Sequence, residues 1–395
     1  MNLLDLIPVW ATVIAAPLAL LVVYALLRRG VMRSIVDPAA PVFFQLLFTF
    51  FILMFTGLLE IQDAIGIFLF LVVIAFFPIR EAVGTQFITS EQWLDFSKYF
   101  VLMLLIMNVV LIKERGLLFM SDDIEVARQE FFQGAGIFRR FNEAGAGITT
   151  ITAAFLWERR NRKSAIIFGL IAACISLTLG SRSSLLLCLF AYGTYLHFIK
   201  RKVSNLPLIA AGALFSLASL GIFFLMYGAQ FLLSFGYRLL AECDGPFYFF
   251  YDSMHLDASA PLGYPLDILA TSLRLRAAPV YEPLGEYILQ RHFHVDILQG
   301  PNPQMLVESH VLFHSFGTVW YLLCAVLFVY LRKHSHNPYS FYFSMSFAGP
   351  LLIDSQYAFS QIFTALIIFS LLACFVAFRW MIEMTGSIVH REDLL

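Results

Sequence analysis

Apolar and polar positions along this chain fall into blocks and do not alternate. Apolar runs near the length needed to cross a bilayer, roughly 17–25 residues, recur at 8–27, 41–59, 64–79, 96–112, 144–158, 164–181, 184–199, 206–227, 311–331, 339–354 and 357–378. A lipid-spanning barrel would show short alternating segments instead. In lipid every backbone N–H and C=O must be satisfied within the segment, and long runs achieve this as helices. The pattern predicts an all-α fold, a polytopic membrane helix bundle of about eleven spans. The run at 64–79 is short, so a re-entrant or broken segment is the alternative there.

Basic residues orient the bundle. Arg28-Arg29 with Arg33, Arg80, Arg159-Arg160 with Arg162-Lys163, Lys200-Arg201-Lys202, Arg332-Lys333 and Arg379 all fall on one side when the spans are threaded alternately. Basic loops mark the cytoplasmic face, so the N-terminus is expected outside and the C-terminus inside. Lys113-Glu114-Arg115 is the exception, falling outside. The first run has no basic segment before it and no small-residue cleavage site after it, and reads as a retained span. Three parts result: 1–227 with eight spans and an outside segment at about 113–143, a long outside segment at 228–310, and 311–395 with three spans and a cytoplasmic tail.

Composition agrees with this class. Of 395 residues, 60% are apolar and 13% charged, with a mean hydropathy of +0.79; a soluble domain has about 45–50% apolar and 25% charged residues. The net charge of −1 says nothing about partners. The five cysteines form no CxxC, so neither a disulfide framework nor a metal site is expected.

The outside face is where the charge pattern changes the picture. It carries Arg115, Arg128, Arg139, Arg140, Arg182, Arg238, Arg274, Arg276 and Arg291, with Lys113 as its one lysine. A guanidinium fork matches phosphate where an ammonium offers a point charge, so the cluster points to an anionic ligand such as a lipid pyrophosphate. Arg139 and Arg140 are better read as partners of nearby acids such as Glu143. Arg182, in LTLGSRSSLLLCLF, sits between two apolar runs with almost no loop, where a charge is costly unless it faces a polar cavity. Arg238 has Glu242 at i+4, with Asp244 just beyond. It reads either as a helix pair or as a phosphate ligand oriented by those acids. Arg274 and Arg276, two apart, fall on one side of an extended segment or splay apart on a helix, and read either as phosphate ligands or as ordinary surface arginines.

The histidines gather late, at His292, His294, His310 and His314. His310 and His314 share a helix face beside Glu308. HExxH is absent and no third ligand is placed, so an acid–base or hydrogen-bonding role fits better than zinc. No GxSxG, Walker loop or GxGxxG at a strand–helix junction occurs. Neither nucleotide nor other cofactor is expected. Transfer chemistry on the outer face would then need a lipid-linked, pre-activated donor.

Four stretches carry a family resemblance: SDDIEVARQEFFQGAGIFRRF around Arg128, LGSRSSLL around Arg182, YRLLAECDGPFYFF around Arg238, Asp244 and Gly245, and GPNPQMLVESHVLFHSFGTVW. In these and in overall layout the chain resembles Wzy-type O-antigen polymerases, the oligosaccharide repeat-unit polymerases of the bacterial inner membrane. The last stretch also resembles the related O-antigen ligases. The resemblance implies a GT-C-like bundle with a large periplasmic loop. It also implies glycosyl transfer from undecaprenyl pyrophosphate to the next lipid-linked repeat unit, without a metal. The partners it implies are the lipid-linked glycan donor and acceptor, the bilayer and a chain-length regulator, with no nucleic acid. On this reading Arg128, Arg182 and Arg238 neutralise the leaving pyrophosphate, and Arg274 and Arg276 hold donor or acceptor phosphate. His310, Glu242 and Asp244 are the candidate bases. A ligase is the nearest alternative, and a flippase for lipid-linked sugars the alternative of another class.

Overall fold

The computed structural model describes residues 8–32, 37–77, 88–115, 136–178, 182–199, 243–254, 256, 263–273, 275–277, 280–294, 301–313 and 316–392. Among them all regular structure is helical: α1 (Val9–Arg28), α2 (Ala39–Thr56), α3 (Ile61–Phe76), α4 (Ser90–Arg115), α5 (Gly136–Glu158), α6 (Arg162–Thr178), α7 (Arg182–Ile199), α8 (Asp244–Tyr251), α9 (Gly263–Ser272), α10 (Leu284–Phe293), α11 (Gln304–Phe313), α12 (Gly317–Lys333), α13 (Pro338–Ile353) and α14 (Ser355–Glu392). Four of these are long and apolar enough to cross a membrane: α1 from Trp10, α2, α4, and α14 as far as Ile382; α3 is a shorter apolar helix.

The faces explain why these helices suit lipid. On α1, Ala11, Ala15 and Ala19 are fully buried while Trp10, Val13, Leu20, Leu21 and Tyr24 point outward. Small residues four apart let a neighbouring backbone approach closely, and α1 packs along α2. The outward face of α14 is equally apolar, with Leu366, Phe378, Trp380 and Met381 exposed. Helices apolar on the outside are solvated by lipid tails and not by water.

The chain divides into two units. The first comprises residues 1–84, 196–336 and 343–361. In it α3 packs along α12, α11 abuts α12, and α8 contacts α10, α11 and α2. Arg332, at the end of α12, is buried and grips Asp37, just ahead of α2, with two bonds of 2.8 and 2.7 Å. This basic residue of a cytoplasmic-type cluster is therefore held by a bidentate ion pair. The second unit comprises 85–195, 337–342 and 362–395. There α5 packs along α6 and against α4. Asn108 and Asn142 exchange amide hydrogen bonds of 2.7 and 3.0 Å. Tyr339 stacks on both Trp93 and Phe155, and its hydroxyl meets Thr152 at 2.9 Å.

Two expectations are refined. The run at 64–79 forms one continuous helix, α3, as far as Phe76, with no break. The run at 311–331 begins inside α11, and a new helix starts at Gly317. The restart is tight, because a Cβ on Gly317 would lie 3.2 Å from the Ser309 carbonyl oxygen. The run at 206–227 lies outside the described residues.

Candidate functional site

Helix α11 reads QMLVESHVLF, and residues 304–309 with Val311 and Leu312 are all buried. A short helix enclosed on nearly every side must find partners for its polar side chains. Gln304 Nε2 donates to Thr49 Oγ1 of α2 at 2.9 Å. Ser309 Oγ donates to Asp63 Oδ1 of α3 at 3.1 Å. His310 Nε2 meets Asp63 Oδ2 at 2.8 Å. Tyr321 of α12 donates its hydroxyl to Asp63 Oδ1 at 2.7 Å.

Asp63 is the hub. It is fully buried in the first turn of α3, where the positive end of the helix dipole favours a carboxylate. Three side chains converge on its two oxygens. Gly66, one turn on, makes room for this, since a Cβ there would lie 2.3 Å from the Tyr321 ring.

A carboxylate only accepts, so in this arrangement the His310 Nε2 bears the proton. Gln62 Nε2 lies beside both ring nitrogens, 2.9 Å from Nδ1 and 3.2 Å from Nε2. Both ring nitrogens are thus engaged. Burial works against charge on this ring, yet the hydrogen bond and charge of Asp63, aided by Glu60, hold its pKa above the usual histidine value. Phe250 of α8 meets the imidazole edge-on at 5.1 Å, which brings the YFF segment of the large polar region onto the site.

Glu308 lies one residue before Ser309 and is fully buried. Its Oε1 accepts the Ser355 N–H at 2.5 Å. Burial, then the nearby Asp354, push this carboxyl up to about 8, so it stays protonated at neutral pH. Gln356 Oε1 accepts the Leu284 N–H at 3.0 Å, tying α10 to the start of α14. Across the junction of α13 and α14 the rings of Phe347 and Phe359 lie 5.9 Å apart.

A second histidine–carboxylate pair stands on α8 and α10. His292 Nδ1 donates to Asp252 Oδ2 at 2.6 Å, and its ring stacks on Tyr248 at 3.9 Å between centroids. Both belong to the wall of a cavity of about 500 Å³, completed by Met254, Tyr287, Arg291 and His294. Arg291 lies over the Tyr287 ring at 5.4 Å.

The other expected residues are placed as follows. Asp244 opens α8, and its Oδ1 accepts the Gly245 N–H at 2.8 Å. Gly245 is required by close approach, because a Cβ would meet the Asn302 carbonyl oxygen at 2.4 Å. Arg276 binds Asp267 Oδ1 at 2.7 Å, and the other oxygen of Asp267 accepts the N–H groups of Val280 and Tyr281 at 2.6 and 3.0 Å. Burial alone would raise the Asp267 pKa, but those two N–H groups and Arg276 together hold it below the usual carboxylate value. Arg276 thus closes a loop while its side chain remains half exposed. Arg139 and Arg140 pair with Glu143 at 3.1 and 3.0 Å, one of the nearby acids expected to take them. Arg182 is the first residue of α7. Arg128, Arg238, Glu242, Arg274 and His314 lie outside the described residues. Among the described residues no group of three or more His, Cys, Asp and Glu is placed to hold a metal ion.

Sequence reading singled out His310 and Glu308 but missed Asp63, Gln62 and Asp252. The signal for Asp63 and Gln62 was the stretch EIQD, three polar residues of four, at the mouth of an otherwise apolar run. No family model matches this chain, and no curated protein or solved structure matches it.

Proposed function

We propose that this chain is a Wzy-type repeat-unit polymerase. In this reading it spans the bacterial inner membrane about eleven times in a GT-C-like bundle. It joins undecaprenyl-pyrophosphate-linked O-antigen or related units by metal-independent glycosyl transfer on the periplasmic face. The observation that most supports it is the buried Asp63–His310 pair under the aromatic α8. On the threaded topology, that pair sits at the outside ends of its helices.

The chemistry follows from the pair. An acceptor hydroxyl takes the place of Gln62 at His310 Nδ1 and gives its proton to that nitrogen. Asp63 stabilises the imidazolium that results. The freed oxygen forms a bond to the donor anomeric carbon with inversion, as the bond from that carbon to the pyrophosphate oxygen breaks. Undecaprenyl pyrophosphate departs with the electron pair, and Arg128, Arg182 and Arg238 neutralise the charge that develops. Arg274 and Arg276 assist at donor or acceptor phosphate, and Glu242 and Asp244 are the next candidates for the base. A chain-length regulator is the partner of this reading.

The test is lipopolysaccharide gel banding from cells lacking this chain, with and without its restoration. A ladder that collapses to core plus one repeat, and returns with the intact chain but not with Arg182→Ala, is the expected result. Core alone would assign a ligase or a flippase. An unchanged ladder would overturn the reading.

A further inference from the structure

The cavity between α8 and α10 is not used by the mechanism above, and its wall is unusual in what it leaves open. His292 donates its Nδ1–H to Asp252 Oδ2, and in that neutral tautomer Nε2 carries the lone pair. Among the described residues no hydrogen-bond partner meets that nitrogen. Arg291 rests on Tyr287, and no carboxylate among the described residues pairs with it. Arg291, His292 and Asp252, a guanidinium and an imidazole nitrogen without polar partners among the described residues and an acid, therefore line one space of about 500 Å³, within the roughly 300–1,000 Å³ of small-molecule sites.

We propose that this cavity is a binding site for an acidic sugar, a hexose ring bearing a carboxylate. Arg291 pairs with the carboxylate through its fork. His292 Nε2 and the oxygens of Asp252 accept ring hydroxyls, and Met254 supplies an apolar floor. Phosphate fits less well, because the one arginine stands alone and the Asp252 carboxylate on the same wall repels a dianion. A neutral sugar would leave Arg291 unmatched. The choice of a sugar rests on the polymerase reading, but binding is measured without turnover, so the two can fail separately.

The experiment uses the full chain in detergent micelles and ligand-observed NMR with glucuronate, glucose and inorganic phosphate. Glucuronate is expected to bind at least about ten-fold more tightly than glucose, the scale of one charge-assisted hydrogen-bonded pair. Arg291→Gln is expected to erase that preference, and His292→Gln to weaken both sugars. Arg291 is exposed, so its variant should fold normally, and a matched melting curve checks this. Equal binding of glucose and glucuronate, or a preference that survives Arg291→Gln, would overturn the assignment. Phosphate displacing glucuronate at equal or lower concentration would reassign the cavity to phosphate and equally overturn it.

Discussion

The two histidine–carboxylate pairs use the same side chains in opposite ways. In the α3–α11 pair the acid is fully buried and receives three side-chain donors, and the histidine has partners at both ring nitrogens. In the α8–α10 pair the acid is partly exposed, and the outer nitrogen of the ring faces a cavity. A buried carboxylate must be fully satisfied to be tolerated, so Asp63 organises everything around it. Asp252 is partly open to solvent and orients a single ring. The contrast separates a carboxylate on which packing depends, Asp63, from one that packing does not require, Asp252.

Removing each acid is the direct way to break this comparison. Asp63→Ala would leave Ser309, His310 and Tyr321 without their common acceptor inside the bundle. It should cost about 3–5 kcal/mol, the range for breaking a buried charged network. The expected outcome is loss of monodisperse protein in detergent chromatography. A variant that purifies and melts like the parent would show that the hub is dispensable.

A smaller effect sharpens the role of α11 through pH. The Glu308 carboxyl ionises near 4.3 in an unfolded chain but holds its proton to about 8 when folded. Between those values the folded state binds the extra proton, so raising pH through this window favours unfolding. The melting temperature in detergent should therefore fall from pH 5 toward pH 8. Glu308→Gln should flatten this dependence, leaving the slope from groups such as His310 and Glu286, whose raised pKa values act in the same direction. A variant as pH-sensitive as the parent would refute the assignment.

The smallest stability change is expected at the other pair. Asp252→Ala removes a partly exposed interaction and should cost less than about 1 kcal/mol. The melting curve should be nearly unmoved while the orientation of His292 is lost, seen as a changed imidazole proton shift. A large drop in melting temperature would make Asp252 a packing hub like Asp63 and erase the distinction.

Much of the scaffold was legible beforehand because helices in lipid are specified locally. Each apolar run contains the atoms that satisfy its own backbone, so α1, α2, α4 and α14 could be read from hydropathy alone. The i+3 and i+4 relations of Arg139, Arg140 and Glu143 were legible for the same reason. His310 and Glu308 stood out as polar residues at the mouth of an apolar run.

Partners distant along the chain were not legible. Asp63 and His310 are separated by 247 positions, and nothing in the local pattern links them. The same holds for Asp37 with Arg332, which sequence reading assigned to the cytoplasmic charge bias and the structure buries in a bidentate pair. By itself the sequence determined an all-helical chain suited to lipid and which residue types could do chemistry. Only the tertiary structure decided which acid meets which histidine, and which ring nitrogen stays open. Those choices depend on bringing α3 and α8 to α11, and α10 to α8, where a buried charge persists only if another helix brings its partner.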